Sequence, residues 1–389
     1  MKTVTVAMCF VLTACSLPMK EMAFIPAPIP EAEKKKKIDD ATESYRQFLQ
    51  FLDYDYLESV DPNRVTFWAI RGAMARLNSH GGVISRDEIN PNCSEKGIGV
   101  SLGKDWHGSI VIASIAPQSP AEREDLRPGD RILAVDNEVV LWYGHDETAI
   151  LIACGTSQTV SLTILRGDSV LTKIVGKQKN VFRDVVTETF SGNIAYIYIT
   201  HLGTYNIVGE ILGKIRNLRR NKDTRFILDL RAMRGGFIYA ARKILGAFLP
   251  SGMPIVYYNE TPLEVPEGAV PIENTLVVLV NQNPVSAGEM IALALKETGR
   301  ALVIGERTAG FGTALAIEYL PEDLSVAIPS KHYLGPNGTS IEGVGVEPDI
   351  MVKDTNPYGY YVAGTHDAIL ERALKYLQSE PIRLVRSPR

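Results

Sequence analysis

The C-terminal half of the chain alternates short apolar segments with helical patterns, and this alternation limits the folds available to it. Four of the apolar segments are "IAYIYI", "RFILDLR", "TLVVLVN" and "RALVIGE". Apolar strands that alternate with helices are typical of an α/β fold in which most strands pair in parallel. We therefore predict an α/β core with a largely parallel sheet over residues 181–389.

Residues 93–180 show a different pattern, in which short strands are separated by turns. We predict strands in "GIGVSLG", "SIVIASI", "RILAVDN", "VSLTILRG" and "LTKIVG". Between the second and third strands, Ser119-Pro120-Ala121 opens a helix with an acidic first turn, and Pro128-Gly129-Asp130 forms a turn. The sequence therefore predicts a smaller domain that precedes the α/β core.

The N-terminus has the features of a secretory signal. Lys2 precedes an apolar stretch, Val4 to Leu12, that is too short to span a bilayer. Leu12-Thr13-Ala14-Cys15 resembles a bacterial lipobox, so we expect residues 1–15 to be a lipoprotein signal with Cys15 as the lipidation site. A plain secretory signal or an uncleaved apolar tail is the alternative. The expectation places the protein at the bacterial cell envelope, anchored by lipid on the periplasmic or outer-surface side.

Two further segments precede the small domain. Residues 16–40 combine prolines with four lysines, Lys34 to Lys37, which is typical of a solvated linker. In residues 41–92 the apolar side chains recur at steps of three and four, which predicts two or three short helices. Gly81 and Gly82 end this helical pattern directly after His80.

The charge balance and the cysteines limit the partners and the redox chemistry. Lys and Arg together number 41 against 45 Asp and Glu, and the sequence has no basic stripe and no zinc-type cysteine spacing, so a nucleic-acid partner is not expected. If a signal carrying Cys9 and Cys15 is removed, Cys93 and Cys154 remain. They could pair with each other in an oxidising compartment, or stay as free buried thiols.

Ser286 in "NPVSAGEMI" lies between a buried-type strand and a helical pattern that stops at Gly299. A serine at a helix N-terminus sits beside unpaired N–H groups that can stabilise an oxyanion, as acyl transfer requires. The same residue could simply cap the helix, because Glu289 three positions later completes a capping box. Local spacing alone favours the cap.

Four segments of the α/β core, together with the small domain before it, resemble a known family. The segments are "LDLRAMRGG", "VNQNPVSAGE", "GRALVIGERTAGFGT" and "SIEGVGVEPDI". In this order they resemble the tail-specific, or C-terminal processing, serine proteases of peptidase family S41, and the resemblance extends over residues 43 to 377. It implies a crotonase/ClpP-like protease core and a PDZ domain, since "GIGV", "SPAEREDLRPGD" and "ILAVDN" resemble PDZ sequences.

The resemblance implies a role for several residues. Ser286 would attack the scissile carbonyl, and the amides of Ala287 and of the glycine pair Gly235 and Gly236 would form the oxyanion hole. In the PDZ domain, the loop Gly97-Ile98-Gly99 with Val100 would bind the terminal carboxylate of a peptide. The chemistry needs no metal and no cofactor.

The chain departs from the lysine-dependent branch of the family, because Phe311 in "GERTAGFG" stands where those enzymes carry the general base. The resemblance to the tricorn-core-like branch implies a Ser-His-Glu triad instead. His80 would be the base, and Glu342 in "SIEGVGVEPD" would orient it. His107, His145 and His366 lack motif support, His201 and His332 flank strands, and Lys331 folded into the site is an alternative base.

These features predict an exported, lipid-anchored serine endopeptidase, with domains at 1–15, 16–40, 41–92, 93–180 and 181–389. Its partners would be protein or peptide substrates. The PDZ domain would bind the C-termini of these substrates or gate the active site. An inactive protease fold that serves as a PDZ scaffold at the envelope is the alternative, because a phenyl ring at Phe311 cannot accept a proton.

Overall fold

The structure is a computed structural model that describes residues 30–77, 82–85, 96–104, 109–141, 143–154, 157–179, 185–202, 205–218, 223–231, 233, 235–258, 260–283, 286–321, 324–356 and 358–379. The expected lipidation site Cys15 and the candidate base His80 lie outside these ranges. Within them, no helix combines the length and the apolar character needed to cross a bilayer.

The N-terminal region forms helices α1 (Glu31–Asp55) and α2 (Pro62–Leu77) and strand β1 (Gly82–Ser85). Helix α1 begins at Glu31, inside the segment 16–40 that the sequence assigns to a linker, so the end of that segment is helical and not irregular. Lysine and glutamate are good helix formers, and Lys37 pairs with Glu33 one turn earlier at 2.9 Å. No residue of α1 is buried, and α1 belongs to a compact unit that ends at Val65.

The small domain surrounds its own apolar core, as the pattern of short strands predicts. Its elements are β2 (Lys96–Gly97), β3 (Val100–Lys104), β4 (Ile110–Ile115), α3 (Pro120–Arg123), β5 (Arg131–Val135), β6 (Glu138–Val139), α4 (His145–Cys154), β7 (Thr159–Arg166), β8 (Ser169–Gly176) and β9 (Gln178–Lys179). Strands β3, β4, β5, β7 and β8 form one antiparallel sheet. Ser119 caps α3 through its side chain, as predicted.

Cys154, the last residue of α4, is disulfide-bonded. Of the two alternatives that the sequence left open for Cys154, the structure thus has the disulfide. The other three cysteines of the chain lie outside the described residues.

The α/β core follows. Its elements are β10 (Val185–Phe190), β11 (Ile194–Ile199), α5 (Tyr205–Leu218), β12 (Arg225–Asp229), α6 (Ile238–Leu245), β13 (Pro254–Tyr258), β14 (Thr261–Glu264), β15 (Leu276–Val280), α7 (Ala287–Glu297), β16 (Leu302–Gly305), β17 (Thr313–Leu320), β18 (Leu324–Leu334), β19 (Ile350–Met351) and α8 (Ala368–Ser379).

The central sheet has six strands in the order β10-β11-β12-β15-β16-β19. All pairs from β11 to β19 are parallel, which confirms the largely parallel sheet. Helices α5, α6 and α7 cover one face and α8 covers the other. Every residue of β11 and β15 is buried, as expected for strands covered on both faces.

A second sheet holds the long hairpin β17–β18 next to the core. Strand β18 pairs with β17, with β1 and with β13. Val326 on β18 packs with Met74 of α2 and Val83 of β1, so this sheet joins the N-terminal region to the core.

Candidate active site

The candidate site lies where the parallel strands of the central sheet end. Gly235 and Gly236 follow β12, Ser286 follows the neighbouring strand β15, and the loop 306–312 follows β16. Since parallel strands end at the same edge of a sheet, the three loops emerge side by side. Such an edge is the usual ligand site of α/β folds.

Ser286 has a strained backbone at the first turn of α7. Its φ of 51° and ψ of −111° lie outside the regions that an L-residue normally occupies. Its side chain makes no capping hydrogen bond, while its own N–H donates to the carboxylate of Glu289. The predicted capping box is therefore formed by Glu289 and not by the serine hydroxyl, and backbone strain of this kind concentrates at functional positions.

Glu289 is a buried carboxylate that holds the nucleophile loop against the loop 306–312. One oxygen accepts hydrogen bonds from the Thr308 hydroxyl and from the Gly310 N–H at 2.7 Å, and the other accepts from the Phe311 N–H at 2.7 Å. Burial raises the pKa of Glu289 to about 7, and these donors together with the Ser286 N–H act to lower it. The carboxylate thus fixes the backbone on both sides of the candidate nucleophile.

Tyr333 on β18 provides a second link between these loops. Its buried hydroxyl donates to the carbonyl oxygen of Phe311 at 2.8 Å and approaches that of Ser286 at 3.3 Å. Burial raises the pKa of Tyr333 well above its usual value, and the charge of Glu289 adds to this effect. The tyrosine therefore stays protonated and acts as a donor.

Glu342 lies on the far side of the same loop. Its carboxylate accepts the Gly312 N–H at 2.8 Å, and a Cβ added to Gly312 would press against the Glu342 backbone. Burial raises the pKa of Glu342, whereas the Gly312 N–H and the charge of His332 lower it.

The candidate oxyanion groups lie at the start of α7 and in the loop after β12, and their role stays a prediction. Ala287 is the buried first residue of α7, where backbone N–H groups have no partner within the helix. Gly236 has a φ of 135°, and a Cβ there would collide with the Leu202 backbone. The carbonyl of Gly235 accepts the Leu202 N–H at 2.8 Å, so the glycine loop is held by the segment that follows β11.

A buried ionic network lies beneath these loops, and Arg231 is its centre. The guanidinium pairs with Asp229 at 2.7 Å, with Asp367 at 2.8 Å and with Asp354 at 3.6 Å. Asp354 also accepts from the side chain of Asn281, the first residue after β15. The network joins the glycine loop to the nucleophile loop.

The remaining sequence-predicted residues lie elsewhere. Lys331 is exposed on β18. In the small domain, Gly97 ends β2, Ile98 is buried, Gly99 has a φ of 87° and Val100 begins β3. Their binding role stays a prediction.

One residue of the site was not predicted from the sequence. Tyr333 stands in "KHYLGPNG", which contains no recognisable catalytic pattern. It reaches the site because β18 pairs with β17 in a register that sets the adjacent residue, His332, opposite Thr313. Local sequence patterns do not encode that pairing.

Comparison with known proteins shows which class of protein this chain resembles. Residues 193–352 match the model of peptidase family S41, and residues 96–175 match the PDZ domain model. The chain is 28% identical to a carboxyl-terminal-processing protease of Picosynechococcus over 89% of this chain and 81% of the relative. It is 24% identical to the carboxy-terminal processing protease CtpB of Bacillus subtilis over 88% of this chain and 73% of the relative.

A solved structure agrees in fold. The photosystem II D1 C-terminal processing protease superposes with a TM-score of 0.63 at 22% identity, covering 79% of this chain and 92% of that one. An α/β core with a strained serine at a helix N-terminus, preceded by a PDZ domain, defines a serine-type peptidase. Residues 193–352 belong to peptidase family S41.

Proposed function

We propose that this protein is an exported, lipid-anchored endopeptidase that cleaves protein substrates through an acyl-enzyme on Ser286. The observation that supports it best is the conformation of Ser286, which is strained, uncapped by its own side chain and fixed through its main chain by Glu289 and Tyr333. A serine that served only as a cap would not need this conformation.

In the proposed mechanism His80 takes the hydroxyl proton as Ser286 Oγ bonds to the substrate carbonyl carbon. The amides of Ala287 and Gly235 with Gly236 stabilise the oxyanion, and Glu342 orients the histidine. Breaking the C–N bond releases the amine with the proton from His80, and a water activated by His80 then hydrolyses the ester. The PDZ domain would bind substrate chain ends or gate this site.

Two other candidates for the base, Lys331 and His332, lie exposed on β18. The inactive-scaffold alternative rests on Phe311, whose backbone is held by Glu289 and Tyr333 and whose ring cannot act as a base.

The test compares cleavage of β-casein and labelling by a fluorophosphonate probe in the wild type and in Ser286→Ala, His80→Ala, His332→Ala and Lys331→Ala. We expect Ser286→Ala to abolish labelling and His80→Ala to lower kcat by roughly 10³-fold or more. His332→Ala and Lys331→Ala should retain most activity.

Each alternative gives a different pattern in the same experiment. Activity that survives His80→Ala and is lost in His332→Ala or Lys331→Ala would transfer the role of base to that residue. If the wild type neither cleaves casein nor reacts with the probe, the scaffold is the better account.

A further inference from the structure

Strand β17 exposes apolar side chains on one of its two faces. Leu315 is 43% exposed, Ile317 60% and Tyr319 77%. These residues alternate along the strand, so their side chains project from the same face of the hairpin that β17 forms with β18. We call the surface formed by Leu315, Ile317 and Tyr319 the outer face of β17.

The other face of the hairpin packs against the N-terminal region. Val326 on β18 lies opposite Glu318, and it is buried with Met74 of α2 and Val83 of β1. The residues opposite the outer face are all half-buried: Ser325, Ala327 and Pro329. The hairpin therefore packs on the protein through one face and directs the apolar outer face to solvent.

Strand β17 is also an edge strand within the part of the chain that the structure describes, since it pairs there only with β18. Residues 315–320 pair one to one with residues 324–329, so the strand is regular over this length. The N–H and C=O groups along such an edge form a row that can bond a further strand. An extended chain can therefore add to β17 over six residues.

Edge strands usually carry features that prevent pairing with another chain, such as lysine, proline or a bulge. "TALAIEYL" contains neither lysine nor proline, and its one charged residue, Glu318, alternates with the outer face. The register shift of the hairpin lies between Ala314 and Leu315, before the regular part. Single exposed apolar residues are common, but three on one face of an edge strand form a continuous strip, which indicates a binding surface.

The strand begins at the candidate active site. Thr313, its first residue, follows the loop 306–312. In that loop the Phe311 N–H donates to Glu289, the carboxylate that also accepts the Ser286 N–H. An eight-residue strand is about 25 Å long, so β17 extends well beyond the nucleophile loop. A segment bound along β17 would have one end close to Ser286.

These features fit an extended segment of a polypeptide substrate. An added strand is bound mainly through its main chain, so many sequences can bind, and its alternate side chains can contact an apolar face. The proposed endopeptidase has to bring extended polypeptide to Ser286, and β17 is continuous with the loop beside that residue. A nucleic acid would require basic side chains, which "TALAIEYL" lacks.

We propose that β17 is a docking strand, which binds an extended apolar segment of the substrate as an added strand and directs it to Ser286. The inference rests on the proposed function and deepens it, because it names the class of segment that is bound: unfolded polypeptide with apolar side chains at alternate positions. The outer face binds substrate and takes no part in the chemical step.

The test places a charge on the outer face of the full-length protein with Ile317→Lys and Tyr319→Lys. Ile328→Lys is the matched control, because Ile328 is 40% exposed on the same hairpin and lies two residues from Val326, on the other face. For each variant, β-casein cleavage is resolved into kcat and KM, and labelling of Ser286 by a small fluorophosphonate probe is timed. The Kd for casein is measured with the same substitutions in Ser286→Ala, which cannot cleave it.

We expect each outer-face variant to raise KM and Kd for casein by roughly 10-fold, because a charge replaces an apolar contact that is buried in the complex. The value of kcat and the labelling rate should stay at the wild-type level, since the small probe does not reach β17. Casein should slow amide hydrogen exchange in residues 315–320 of Ser286→Ala. Ile328→Lys should match the wild type throughout.

Wild-type KM and Kd in both outer-face variants would overturn the proposal, as would an equal rise in Ile328→Lys. A dimer in sedimentation that Ile317→Lys dissociates, with casein binding unchanged, would also overturn it, because the outer face would then join two copies of the chain. If Ile317→Lys does not fold, Tyr319→Lys decides by the same criteria. Failure of the proposed function is recognised separately: Ser286 would not react with the probe, whereas casein binding to Ser286→Ala would still report on β17.

Discussion

At the scale of single residues, buried polar side chains hold the backbone of the candidate site in place through hydrogen bonds. Glu289 accepts hydrogen bonds from four donors on two loops, and Tyr333 donates back toward the same loops. The strain at Ser286 persists because these contacts over-determine its position. The sequence identified Glu289 as a helix-capping residue but could not show its three partners in the loop 306–312.

The raised pKa of Glu289 gives a pH dependence of stability. The pKa is about 7 in the folded protein and 4.5 when exposed, so the folded state binds a proton more tightly between these values. The contribution of Glu289 to the free energy of unfolding is fully present below pH 4.5 and is lost as the pH rises through 7. Over this pH range the free energy of unfolding of the wild type should fall by about 3 kcal/mol relative to that of Glu289→Gln. Thermal midpoints of both proteins between pH 4.5 and 8 measure it, and parallel curves would contradict it.

Removal of the Tyr333 hydroxyl gives a second prediction for a single residue. Tyr333→Phe removes a buried donor and leaves the Phe311 carbonyl without this bond, so we expect a loss of about 1 to 2 kcal/mol in unfolding free energy. We also expect a lower kcat, because the Ser286 carbonyl loses the same neighbour. Tyr319, on β17, is 77% exposed. Tyr319→Phe is therefore the control and should change neither the free energy of unfolding nor kcat.

At the scale of elements, strand and helix periodicity predicted the central sheet but not the pairing of β17 with β18. Strand β18 runs from Leu324 to Leu334, and its end carries Tyr333. Local patterns do not encode which strands pair, so the approach of Tyr333 to the nucleophile loop could not be predicted.

The glycine loop after β12 gives a prediction for an element. Gly236→Ala would place a Cβ against the Leu202 backbone at a φ of 135°, so the loop must move. We expect casein cleavage to fall by roughly 100-fold or more, since a displaced oxyanion donor is costly. Gly213→Ala in α5 is the control: a Cβ there meets nothing within 4 Å, and helix propensity predicts equal or greater stability. Full activity of Gly236→Ala would exclude this loop from the oxyanion hole.

At the scale of the whole molecule, three polar contacts join regions that are far apart in sequence. Arg231 joins β12 to Asp367 before α8, Glu147 joins the PDZ domain to β1, and Tyr358 donates to Glu122 of the PDZ domain at 2.7 Å. These contacts depend on tertiary packing, which no short motif records.

The contribution of the Arg231 network to the stability of the core can be measured with one substitution. Arg231→Lys keeps the charge but cannot supply the forked donors that Asp229 and Asp367 share, so we expect a loss of about 3 kcal/mol in unfolding free energy. Arg307→Lys, in an exposed pair with Glu347, should change it by less than about 0.5 kcal/mol. Chemical denaturation of the two variants provides the comparison, and equal losses would contradict the prediction.

The disulfide at Cys154 sets a condition on how this protein can be produced. Such bonds persist in oxidising surroundings and are rare in a reducing cytosol. Since Cys154 ends the helix whose first turn holds Glu147, protein made under reducing conditions would lack a covalent restraint at the opposite end of that helix. A preparation from a reducing host can therefore give low specific activity for reasons unrelated to Ser286, and the thiol content of each batch should be measured before its kinetics.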